Sequence, residues 1–141
     1  MTLISEFCKE NKIKRKKMIL LFNHFNQVLK SRRNAIFLID SIIKDFILSG
    51  TTKKNINALI CILNKTLNKE TFDYKTFCII CELCPYLALQ ISRILKLSLS
   101  ETKKILSENE LVNKPLINLL FVIYKDTYMI NYMMGKTNYN K

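Results

Sequence analysis

The sequence predicts an all-α helical bundle, and three observations predict it. Apolar residues recur at helical spacing along nearly the whole chain. Only two Gly and two Pro stand among 141 residues; strands need frequent turn residues, whereas helices joined by short polar links do not. Hydrophobic residues make up 49% of the chain, enough at this length for a single domain, 1–141, to bury a real core.

Leu3, Ile4 and Phe7 begin a short first helix that continues through the more polar residues 5–11. A second is expected over about 16–30 through Ile19, Leu20, Phe22, Phe25, Val28 and Leu29. A third covers about 34–48, with Ile36, Ile39, Ile43, Phe46 and Ile47 on one side. Ser49-Gly50-Thr51-Thr52 ends it and offers an N-cap to a fourth helix, about 53–67, which presents Ile56, Leu59, Ile60 and Leu63. Thr71 or Asp73 can cap the fifth, which runs to about 97 and which Pro85, by deleting one backbone hydrogen bond, should either kink or split in two. Ser98 or Ser100 with Glu101 starts a short helix to about 109. Asn113 is expected to cap the last helix, with Lys114 and Pro115 in its first turn and an end near Met134. No internal repeat or interdomain linker is visible.

Residues 76–95, TFCIICELCPYLALQISRIL, carry the one motif that could hold chemistry. Cys78, Cys81 and Cys84 stand at C-x2-C-x2-C spacing, which suits a metal or an iron–sulfur cluster. The ferredoxin pattern then requires a fourth Cys where this chain has Ala88. Zinc would also need a fourth ligand, and His24, Cys8 and Cys61 are remote in sequence. On a helix the three thiols form a slanting stripe of small apolar groups, so they are expected in the packed centre of the bundle.

His24 is the single His, and acid–base work needs a partnered carboxylate that only folding could bring, from Asp40 or Asp45. The 11 acidic residues are scattered without a metal-type pair, and two isolated glycines cannot build a phosphate loop. No catalytic, cofactor-binding or metal site is expected, and the chain is not read as an enzyme.

The net charge of +12 invites a nucleic-acid reading. The excess rests on 19 Lys against 4 Arg, beside 19 Ile and 14 Asn, a usage typical of AT-rich genomes. The one dense basic run is 12–17, KIKRKK, where Lys14, Arg15, Lys16 and Lys17 form a candidate anionic contact, extended by Arg32 and Arg33 if the partner is a nucleic acid. No aromatics interleave with it, so stacking on single strands is not expected, nor nucleic acid as the main partner.

Residues 1–17 hold no apolar segment of signal-peptide type, and no stretch reaches the ~18 apolar residues of a membrane span. The polar end 135–141 is not expected to serve as a tail anchor. Five cysteines, odd in number and set in apolar runs, suit reduced thiols and a cytoplasmic location. The last helix bears an aromatic stripe, Phe121, Tyr124, Tyr128 and Tyr132, with Tyr139 beyond it; such a stripe reads as core or as the edge of a protein interface.

In residues 77–88, FCIICELCPYLA, the Cys-containing centre follows an amphipathic pattern at 42–63, IIKDFILSGTTKKNINALICIL. Residues 116–124, LINLLFVIY, followed by 128–134, close the chain, with room for an inserted helix between Cys84 and Leu116. This order resembles the poxviral Bcl-2-like proteins, intracellular immune modulators typified by those of vaccinia virus. The resemblance implies a bundle of about seven helices around a central hydrophobic helix. It implies a protein that binds a host signalling protein in the host-cell cytoplasm and blocks NF-κB or interferon induction. The alternative is an apoptosis inhibitor that sequesters BH3 helices in a surface groove, although the chain has no Trp and so lacks the Asn-Trp-Gly-Arg signature of the cellular proteins. Several relatives dimerise through their first and last helices, which would put Phe7, Ile117, Tyr124 and Tyr128 at a partner or homodimer face.

Overall fold

The computed structural model describes residues 2–134, which form eight α-helices and one two-stranded antiparallel sheet. Helices α1 (Thr2–Glu10), α2 (Arg15–Leu29), α3 (Arg32–Leu48) and α4 (Lys53–Leu67) follow one another closely. Strand β1 (Thr71–Phe72) leads into α5 (Tyr74–Leu83), α6 (Pro85–Leu95) and α7 (Leu99–Glu108). Strand β2 (Leu111–Val112) pairs back onto β1 and opens α8 (Asn113–Met133).

The caps explain most boundaries. Ser31 Oγ accepts from Asn34 N, Thr52 Oγ1 from Asn55 N, and Asp73 Oδ1 from Thr76 N, each satisfying a backbone donor that the first turn leaves free. Ser98 and Glu101 form a reciprocal capping box at the start of α7. Gly50 stands at φ +66° after α3, a conformation that glycine adopts without steric cost.

One open expectation is resolved and another changes. Of the two outcomes at Pro85, a kink or a split, the chain takes the split: α5 and α6 are separate helices, with Cys84 at φ −146° and ψ 77° between them. The ring of Pro85 pushes the preceding residue out of the helical region, and the α3–α4 link satisfies the broken ends. Thr51 Oγ1 donates to Leu83 O at 2.9 Å, while Ser49 Oγ accepts from Tyr86 N at 3.3 Å. Asn113 is not an N-cap; that position is Val112, which makes no side-chain cap. The Asn113 amide donates to Thr66 O and Lys69 O, so it closes the C-terminal end of α4.

One hydrophobic cluster runs through the described residues, with Leu21, Leu38, Ile39, Phe46, Leu59, Phe77, Ile80 and Leu87 among its members. Each such side chain contributes about 2 kcal/mol by leaving water. Helix α3 buries Ala35, Leu38, Ile39, Ile42, Ile43, Asp45 and Phe46 and packs against α1, α2, α6 and α8. Helix α6 packs against α3, α5, α7 and α8. The centre is therefore shared by α3 and α6 rather than held by one helix. Ile47, expected on the inner side of α3, is exposed, because the buried stripe is centred on Leu38 and Ile42.

Candidate binding cleft

Helix α1 lies on α3, where Phe7 stacks on Phe46 with ring centroids 6.2 Å apart. The chain then turns through Lys12, at φ 54°, and α2 returns beside α3. Between α1, α2 and α3 this leaves an open cleft of about 530 Å3. Its walls are apolar: Ile4, Cys8, Ile13, Met18, Ile19, Phe22, Ile36 and Ile39. Ile19 is 51% exposed and continues into the neighbouring exposed Leu20. Lys9, Arg15 and Arg32 supply the charge, and no Asp or Glu lines the cleft. The Arg32 guanidinium lies over the Phe22 ring, 5.5 Å from its centroid. A cation held this way keeps its charge available while its flat face covers apolar surface. Burial pushes the Cys8 thiol up, against a smaller opposing pull from Arg15, which favours an uncharged thiol in the wall.

The side chains of the basic run divide between the cleft, α4 and solvent. Arg15 lines the cleft, whereas Lys17 Nζ donates to Cys61 Sγ at 3.1 Å and Lys17 O accepts from Asn64 on α4. Lys14 and Lys16 face solvent.

The expected partner face is also corrected. Phe7, Ile117 and Tyr124 are between 4% and 6% exposed and belong to the core, while Tyr128 is 45% exposed. Phe7 is taken by Phe46 and Tyr124 by Asp45, so three of the four residues cannot reach a partner without unpacking the bundle. Tyr139 lies outside the described residues.

Cys84 is buried and Cys78 and Cys81 are half-buried. Among the described residues, no three His, Cys, Asp or Glu side chains stand close enough to hold a metal ion. His24 Nε2 is buried without a hydrogen-bond partner, and burial lowers its pKa. Asp45, one of its two candidate carboxylates, is engaged elsewhere: the Tyr124 hydroxyl donates to Asp45 Oδ2 inside the core. Burial raises the Asp45 carboxyl to about 6, although Tyr124 and Arg93 pull the other way. The Tyr124 hydroxyl is held well above its ordinary value by burial and by the facing carboxylate. This pair joins α3 to α8.

The cleft and the Asp45–Tyr124 pair are the features the residue pattern did not reveal. Asp45 falls on the apolar face between Ile42 and Phe46, and that placement was the available signal. No protein-family model, curated protein or solved structure matches the chain.

Proposed function

We propose that the protein is a non-enzymatic viral Bcl-2-like binding protein that inhibits innate immune (NF-κB or interferon) signalling by occupying a host signalling protein in the host-cell cytoplasm. One observation carries the binding role: the open, apolar α1–α2–α3 cleft, with three cations and no acid in its lining. Such a cleft suits an amphipathic helix that lays apolar anchors on Met18, Phe22 and Ile36 and offers carboxylates to Arg15 and Arg32. Inhibition then needs no bond to be made or broken, and a few buried anchors carry the affinity. The identity of the host pathway rests on the order of helices described above.

Its test is a cellular reporter assay of NF-κB and interferon-promoter activation. The parent chain is expected to suppress at least one of the two. Ile19→Glu should lose most of that suppression, because it puts an anion at the lip of the cleft while sparing the core. Unchanged promoter activity with the parent chain removes this reading. A second reading, sequestration of the BH3 helices of pro-death proteins, is favoured by the openness of the cleft, since a filled one could not take a helix.

A further inference from the structure

The last two turns of α8 leave the bundle with apolar side chains on most of their circumference. Tyr128, Met129, Ile130, Tyr132, Met133 and Met134 are all exposed, Ile130 to 60% and Met133 to 80%. At 100° per residue the five that lie in α8 span about 200° of the helix. A flat protein face, or one helix of a second copy, covers a stripe of only ~100° or somewhat more. A surrounding medium can cover the whole arc, and these turns extend about 10 Å, the depth of the headgroup and upper acyl region of a bilayer. The side chains suit that zone, because tyrosines favour the membrane–water boundary and Met and Ile favour the acyl side.

The chain's net charge of +12 favours an anionic surface, while cations and acids stand in equal number around the base of this segment. Tyr128 packs edge-on against Phe37 of α3, with centroids 6.2 Å apart. Exposed Arg33 stands one turn before the half-buried Phe37 on α3, and Lys125 stands one turn before Met129. Asp126 and the half-buried Asp40 are the nearby acids, in a chain whose net charge is +12. No helix among the described residues is long and apolar enough to cross a membrane. The contact is therefore peripheral.

We propose that the end of α8 docks the protein on anionic bilayer surfaces, its apolar turns inserted among the headgroups and Lys125 and Arg33 set against lipid phosphates. Shallow insertion plus the attraction of a positively charged chain gives reversible attachment, because neither signal holds alone. This site is separate from the cleft and does not depend on what the cleft binds.

The test is co-sedimentation of the full chain with vesicles of phosphatidylcholine alone or with about one-third phosphatidylserine, at low and at physiological salt. The parent should bind the anionic vesicles at least ~10-fold better than the neutral ones, and salt should weaken it. Ile130→Glu and Met133→Glu should each reduce binding ~10-fold with an unchanged circular-dichroism spectrum, since both positions are exposed. Three results overturn the proposal: no binding to anionic vesicles, binding that both variants retain, or a stable dimer of the parent that Ile130→Glu converts to monomer. The last would mean that a second copy covers the segment.

Discussion

Asp45 shows how one residue sets a condition on the stability of the whole bundle. Its carboxyl is raised from 3.8 to about 6, so the folded state binds the proton more tightly than the unfolded state does. Stability from this group is therefore full below about pH 4 and is lost as pH rises through about 6. A shift of this size corresponds to about 3 kcal/mol. Burial of the charge is the cause; the Tyr124 hydroxyl and the Arg93 charge offset only part of it. His24 works in the opposite sense, because its lowered pKa removes stability as pH falls through the ordinary His range. The comparison that isolates Asp45 is thus Asp45→Asn against the parent, by chemical denaturation across pH. The variant should match the parent near pH 4 and exceed it by about 2–3 kcal/mol near pH 7. Tyr124→Phe should cost about 1–3 kcal/mol near pH 7, because it leaves a buried carboxylate without its donor. Equal pH slopes in parent and Asp45→Asn would show that this carboxyl titrates normally.

At the scale of elements, most of the fold was legible because its signals are local. Thr52, Asp73, Ser98 and Glu101 cap helices where the residue pattern put caps, and α4 begins and ends where its apolar spacing does. The failures share a cause, since each depends on a partner distant in sequence. Pro85 announces an interruption, but whether the helix bends or divides depends on Ser49 and Thr51, more than thirty residues away, which satisfy the separated ends. Asn113 looks like a cap from sequence and instead serves the carbonyls of α4. Strands β1 and β2 hold two residues each, too few to leave a period, and their register is set by long-range pairing of Thr71 with Val112. The α5–α6 break has a direct check. Thr51→Val and Ser49→Ala should each lower stability by about 1 kcal/mol in thermal or chemical unfolding, by orphaning Leu83 O and Tyr86 N. No loss in either variant would mean that Pro85 alone maintains the break.

For the whole molecule, packing decides which residues are free to act. The aromatic stripe of the last helix divides: Tyr124 pairs with Asp45 and Phe121 packs edge-on against Phe37, while Tyr128 and Tyr132 are exposed. The surface we propose for binding is the α1–α2–α3 cleft, which no single stretch of sequence encodes, because Cys8, Phe22 and Ile36 meet there from three helices. The central claim is that this cleft holds an acidic amphipathic helix, and titration of the isotopically labelled full chain with a set of acidic amphipathic helical peptides, BH3-type sequences among them, observed at Ile and Met methyl groups, tests it most directly. Shifts should concentrate at Ile13, Met18, Ile19 and Ile36 with a Kd on the order of 10 µM, weaken about ten-fold in Arg32→Ala, and vanish with a peptide whose acids are changed to lysines. A set of peptides that leaves those methyls unmoved, or moves only residues remote from the cleft, would contradict the account.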